Sequence, residues 1–335
     1  MKYILTFDYE LFGSGKGDVF KHLVAPTDKM LETMQRLGIR ATFFIEYLEL
    51  EAIFKEADSG NPLFIDDAKH IKAQLERMVS LGHDLQLHLH PQWYQAQYRQ
   101  GQWQLNFDWW RFSALPYRTS ADGTPGQLDL LLAGKAFLEA LIQPLNSEYR
   151  CHAFRAGGYN IGFNPQSVKA LSAAGFDTES SLCPGFYANK ALCQYDYTDC
   201  DSFLPQPMPG SDEPTQVIEY PLLTLRSSLP EKISLARLYT RLFNKKLKRI
   251  GYQRSVKPAA PLQPHKLTNS NFDVCLSSRA QVQRFLALAQ QKCLSTTVLI
   301  GHAKDYSWFS PFAYTLKRAQ RQGQFITLSD ARETV

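Results

Sequence analysis

Along the chain, short apolar runs alternate with stretches in which apolar residues recur every three or four positions. Residues 3 to 8 (Tyr-Ile-Leu-Thr-Phe-Asp) form a β-prone run that ends on a carboxylate, and Met30, Leu31, Met34 and Leu37 follow at helical spacing over 28 to 37. Gly38 stops that helix. Ala41-Thr-Phe-Phe-Ile45 has the pattern of a buried strand, residues 66 to 81 are helix-prone, and 84 to 90 are again a strand. The rhythm returns with a strand over 151 to 155, a helix over 164 to 174 stopped by Gly175, and short strands over 177 to 181 and 217 to 222. Strands over 271 to 277 and 296 to 301 bracket a helix over 279 to 291, and 324 to 328 closes the sheet. Repeated βα units predict a parallel sheet or barrel, with the active groups at the carboxyl ends of its strands.

Two stretches break the rhythm. Residues 92 to 130 hold Trp93, Trp103, Trp109 and Trp110 and read as a long aromatic loop beside the strand of His88. Residues 232 to 266 place Leu235, Leu238, Leu242 and Leu247 at roughly helical spacing, then leave through Pro258, Pro261 and Pro264. That second stretch also carries the charge: ten Lys or Arg and no Asp or Glu, which against a net charge of +5 leaves the remainder near −5. It reads as a solvated basic helix and loop, or as a dock for a nucleotide-sugar, a lipid-linked pyrophosphate or an anionic membrane surface. No nucleic-acid-binding signature accompanies it.

With 335 residues, 44% hydrophobic and 13% aromatic, the chain can bury a large core. The amino terminus reaches Asp8 without an apolar signal region, and no run of about eighteen apolar residues occurs, so a cytoplasmic, soluble protein without a membrane span is expected. Six cysteines without a CxxC pair predict reduced thiols.

Alternation along Thr6-Phe-Asp-Tyr-Glu10 puts Asp8 and Glu10 on one side of a strand, roughly 6 to 7 Å apart at the backbone. In Gly82-His-Asp-Leu-Gln-Leu-His-Leu-His-Pro-Gln-Trp93, His88 and His90 share one strand face, whereas His83 falls out of phase and reads as structural. Two imidazoles and one or two carboxylates supply the N/O ligands of a catalytic zinc site, although cobalt, nickel or iron would suit the same donors. Ala153-Phe-Arg-Ala-Gly-Gly-Tyr159 sets Arg155 at a strand end, able to orient a carboxylate, before two glycines that permit close approach by a ligand. His302 ends the apolar run Val298-Leu-Ile-Gly-His, a position suited to an acid or base.

Thr-Phe-Asp8, Ala41-Thr-Phe-Phe, Gly82-His-Asp through His88, Phe154-Arg155 and Leu299-Ile-Gly-His302 resemble, in order and spacing, the motifs of the polysaccharide deacetylases with NodB homology, carbohydrate esterase family 4. The resemblance implies a deformed (β/α) barrel of about seven parallel strands. Here that would be a single domain over 1 to 335 with insertions near 92 to 130 and 228 to 270. It further implies a divalent metal, zinc by expectation, held by one Asp and two His, a second Asp as base, and a distal His as acid. On matching positions Asp8 takes the base, His88 the first metal histidine, His302 the acid and Arg155 the arginine that orients the base. The family places a second aspartate directly after the first, where this chain has Tyr9, so the metal carboxylate is Glu10 or Asp8. Its second histidine falls four residues after the first, at Gln92 here, so His90 takes that role on strand geometry. NodB-like proteins of surface-polysaccharide gene clusters are similar in pairing TFDYE with HLHPQW.

The function so implied is removal of N-acetyl groups from an amino sugar, polymeric, lipid-linked or nucleotide-linked. Asp8, His302 and Arg155 are the catalytic set, Glu10, His88 and His90 the metal set, and Trp93 and Tyr159 the substrate contacts. Trp103, Trp109 and Trp110 are further rings for stacking on sugar faces. A glycoside hydrolase built on Asp8 and a second carboxylate is the rival, but it leaves the two strand histidines unexplained. A carbohydrate-binding homologue without activity is the other, suggested by Tyr9 and Gln92.

Overall fold

The computed structural model describes residues 1–210, 215–251 and 267–332. The Pro-rich exit expected at Pro258, Pro261 and Pro264 lies outside them. Nine strands form the main sheet: β1 (Lys2–Tyr9), β2 (Thr42–Glu46), β3 (Asp84–Leu89), β4 (Ala153–Ala156), β5 (Thr178–Glu179), β6 (Gln206–Pro207), β7 (Ile218–Glu219), β8 (Thr296–His302) and β9 (Gln324–Ile326). Their order is β6-β7-β5-β4-β3-β2-β1-β8, with β9 also on β1. All neighbours are parallel except β6 and β7, so eight strands run one way.

Helices follow the strands and cover them: α1 (Ala25–Leu37), α2 (Tyr47–Asp58), α3 (Pro62–Ser80), α4 (Gln127–Ile142), α5 (Pro165–Ala173), α6 (Leu235–Phe243), α7 (Arg279–Gln291) and α8 (Phe312–Gln320). Their ends obey capping chemistry. Gly38 closes α1 at φ 64°, Asn61 and Asn164 accept backbone N–H groups at the starts of α3 and α5, and Ser278 and Gln281 form a capping box on α7. Helix α4 crosses closely over β3 because Gly134 has no Cβ; one added there would meet Leu87 and Tyr47 at 2.7 Å. Burial on both faces accounts for the apolar runs of β1 and β2, whereas β3 alternates Leu85, Leu87 and Leu89 with the buried polar Gln86 and His88.

The sheet curls and closes without a continuous ladder. Leu222 N–H donates to Leu182 O, Leu223 N–H to Val298 O, and Phe272 and Val274 exchange bonds with Ile300, each between 2.8 and 3.1 Å. These links join the β5–β7 side to β8 and make a deformed (β/α) barrel. The strand expected over 271 to 277 is not one. Leu267–Asn271 instead pairs antiparallel with Thr224–Ser228, and Asp273 touches Ile300 through one isolated bridge.

The stretch 92 to 130, read as loop, contains a hairpin of Gln97–Arg99 with Gln102–Gln104, several short turns and the start of α4. The carboxyl-terminal strand is shorter than expected and is followed by a helix over Leu328–Arg332. All six cysteines are free thiols, and among the described residues no helix is long and apolar enough to cross a membrane.

Candidate active site

Parallel register assembles the site at the carboxyl end of the barrel. Asp8 at the end of β1 sits opposite His302 on β8, and His88 on β3 sits opposite Arg155 on β4. Glu10 and His90 follow one residue beyond their strands. A cavity of about 310 Å³ opens here, lined by Asp8, Glu10, His90, Trp110, Tyr159, His302 and Lys304 among others.

Arg155 is fully buried and fully engaged. Nη1 donates to Asp8 Oδ1 at 2.7 Å and to Thr6 Oγ1 at 2.9 Å, Nε to Ser180 O at 2.6 Å, and Nη2 to Ser180 Oγ at 3.1 Å. The guanidinium lies 4.2 Å over the Phe44 ring. Asp8 Oδ2 is left for other partners, 3.3 Å from His302 Nε2 and 3.8 Å from His88 Nε2. Burial would raise the Asp8 carboxyl, but the Arg155 guanidinium, joined by the hydrogen bond from His302, outweighs it and holds the group well below the usual carboxylate range.

Glu10 is held by a different cation. Its Oε1 accepts from Lys304 Nζ at 2.6 Å, while Oε2 lies 2.8 Å from His90 Nε2 and 3.7 Å from His88 Nε2. Lys304 also donates to Leu11 O at 2.7 Å. Against the upward push of burial, Lys304 and His90 lower the Glu10 carboxyl, and Glu10 in turn raises the Lys304 ammonium despite its burial.

His88 Nδ1 lies 2.9 Å from Arg155 O, so that nitrogen carries the proton and Nε2 presents its lone pair. This buried Nε2 has no hydrogen-bond partner and faces Glu10 and Asp8. Gln92, fully buried, reaches His90 Nδ1 with Nε2 at 3.3 Å, and its Oε1 has no partner. Glu10, His88 and His90 offer ligand atoms within 4.8 Å of one another, and so do Asp8, Glu10 and His302. For His302, burial lowers the imidazole, but the hydrogen bond and charge of Asp8 outweigh it and raise it above 6.5. Its Nδ1 faces Asp273 Oδ2 at 3.9 Å.

Six of the eight residues singled out in the sequence, Asp8, Glu10, His88, His90, Arg155 and His302, therefore meet in one place, and Tyr159 lines the cavity. Tyr159 is a non-glycine residue at φ 62°, held there by Tyr197 Oη on its carbonyl at 2.6 Å and Asn271 on its hydroxyl at 2.7 Å. Trp93 does not join them. It is 1% exposed and packs edge-on against Trp103 in the interior, because the short turn at Pro91–Trp93 points it inward; Trp110 is the tryptophan at the cavity.

The pair Gly157-Gly158 also differs in purpose from the expected approach of a ligand. A Cβ on Gly157 would meet the His90 ring at 2.5 to 2.7 Å, so the space is taken by His90 itself. His83 is structural as expected, with Nδ1 accepting from Ala41 N–H. Lys304, Gln92 and Asp273 were not assigned roles from sequence; the closest signal was the position of Lys304 two residues after the strand-ending His302.

No protein-family model matches the sequence, and no curated protein matches it. Solved structures are similar at low identity. A Mycobacterium smegmatis protein assigned as a polysaccharide deacetylase shares 13% identity at TM-score 0.47, covering 100% of this chain and 89% of that one. The catalytic domain of a peptidoglycan N-acetylglucosamine deacetylase from Eubacterium rectale shares 12% at 0.39, covering 98% and 88%. A 4-alpha-glucanotransferase from Thermococcus litoralis shares 11% at 0.47, covering 100% of this chain and 38% of that one.

Proposed function

We propose that the chain is a metal-dependent carbohydrate N-deacetylase, removing N-acetyl groups from an amino sugar in surface-polysaccharide biosynthesis. The observation that carries this reading is His88 Nε2, a buried lone pair without a hydrogen-bond partner, aimed between two carboxylates. A polar atom so placed is costly unless a cation fills the gap. The residues fit one. Glu10 through Oε2, with His88 and His90 through Nε2, would hold a divalent ion, by our assignment zinc, which when bound polarises a carbonyl and lowers the pKa of water.

The protein's own groups divide the remaining work. Lys304 occupies Glu10 Oε1 and so turns Oε2 toward the histidines. Gln92 sets His90, its side-chain amide lying against Nδ1 so that the ring turns Nε2 toward Glu10. Arg155 keeps Asp8 ionised through Oδ1, and Oδ2 takes the proton of the attacking water. As the amide C–N bond breaks, His302 Nε2 gives its proton to the departing amine, with Asp273 on the far side of the ring. Acetate and a free amino sugar result. Trp110 and Tyr159 line the space where the sugar would lie. We take 1 to 335 as one catalytic domain with insertions near 92 to 130 and 228 to 270, and the free thiols suit a reducing, cytoplasmic setting.

The test is product analysis on N-acetylated amino-sugar oligosaccharides. We expect acetate without new reducing ends, and a loss of about 10²- to 10⁴-fold in kcat for Asp8→Asn. New reducing ends without acetate, or an Asp8→Asn enzyme as fast as the wild type, would overturn the assignment.

A further inference from the structure

Helix α6 is inverted relative to an ordinary surface helix, which turns its apolar stripe inward. Here Ala236 and Thr240 face the body and are buried, while Leu235, Leu238, Leu242 and Phe243 are 51 to 67% exposed. The apolar surface continues through Tyr239 to Phe309, whose rings lie 6.1 Å apart, and on to Trp308, which is 96% exposed. Leu229 and Ile233, both more than 70% exposed, extend it on the other side.

Cations border this surface. A cavity of about 570 Å³ beside it is lined by Lys232, Arg237, Arg241, Lys245, Lys248 and Arg249, of which, among the described residues, only Lys248 is in an ion pair, with Asp305. From these features we propose that α6 and the loop carrying Trp308 and Phe309 dock on an anionic lipid bilayer. An exposed apolar stripe flanked by Lys and Arg is the pattern of a helix lying in a membrane interface, its side chains among the acyl chains and its cations at the headgroups. A second copy of the chain is a poor occupant, because two-fold pairing would set the same cations against one another. Lys248 also lines the active-site cavity, so docking brings the mouth of that cavity to the headgroup layer.

The experiment is co-sedimentation of the full chain with vesicles of phosphatidylcholine alone or mixed with phosphatidylglycerol, at low and high salt. Sedimentation velocity without lipid runs beside it. We expect binding to the anionic vesicles that salt reverses, since screening weakens headgroup attraction. Partitioning should fall about tenfold or more in Leu242→Glu/Phe243→Glu and, independently, in Arg241→Glu/Lys245→Glu. Failure to bind anionic vesicles, binding indifferent to both double substitutions, or a lipid-free dimer that both substitutions dissociate would each overturn the proposal.

Discussion

Arg155 shows how one side chain can fix a whole site. Its forked donors engage Asp8, Thr6 and Ser180 at once, with no exposure to solvent. Replacing it with Met leaves Asp8 Oδ1 buried without its cation, and we expect a loss of about 3 to 5 kcal/mol in urea denaturation. Arg155→Lys should recover only part of that loss, because an ammonium cannot reproduce the fork. His302 makes a pH prediction. Its imidazole is raised above 6.5, and the proposed acid must be protonated, so kcat should fall as pH climbs through that raised value. The alkaline limb should vanish from the residual activity of His302→Gln. His83 gives the opposite sign in stability. Burial pushes its imidazole down to about 4, and the Ala41 N–H on Nδ1 suits the neutral ring. Between about 4 and 6.5 the unfolded chain binds more protons than the folded one. Stability should therefore rise with pH across that window, by at most ~3 kcal/mol. The test is thermal unfolding against pH, in which His83→Asn keeps the acceptor and should flatten the slope. Asp8, Glu10, His88, His90, Arg155 and His302 were legible because strand alternation and strand ends locate them. Lys304 and Gln92 sit on turns after strands, where direction depends on backbone geometry that period-2 patterns do not encode, and the same holds for which of the candidate tryptophans faces the cavity.

At the scale of elements, the turn after β4 matters most. Gly157 leaves room for the His90 ring, so Gly157→Ala should displace it and weaken metal affinity, read by competition with a chromophoric chelator, while the circular dichroism spectrum stays unchanged. Wild-type affinity in that variant would show that His90 is not held there. Strands and helices bounded by Gly or by caps, such as α1, α5 and α7, were readable from the sequence. Two helices were not. α2 begins at Tyr47 directly after β2, with no glycine or proline between them, and α4 is apolar on nearly every side, which blurs its period. The apolar spacing of α6 was legible, but its outward orientation was not, since period alone does not say which environment the stripe meets.

For the whole molecule, the parallel order β5-β4-β3-β2-β1-β8 is what brings residues nearly 300 positions apart, Asp8 and His302, to 3.3 Å. The alternation of strands and helices made that architecture readable. The closure did not follow from it, because isolated backbone links through Leu222, Leu223 and Phe272 leave no strand-length pattern. Those links tie the β5–β7 side of the barrel to β8, which its ladder with β1 holds on the other side. Leu222→Ala, at a fully buried position, should cost about 2 to 5 kcal/mol in denaturation experiments.

A divalent ion held by Glu10, His88 and His90 is the centre of the proposed chemistry, and the most direct measurement is acetate release as such an ion is titrated into chelator-stripped protein. Activity should rise from near zero, saturate at about one ion per chain and not return in His88→Ala. Acetate release at full rate from stripped protein, or unchanged saturation in His88→Ala, would contradict that chemistry.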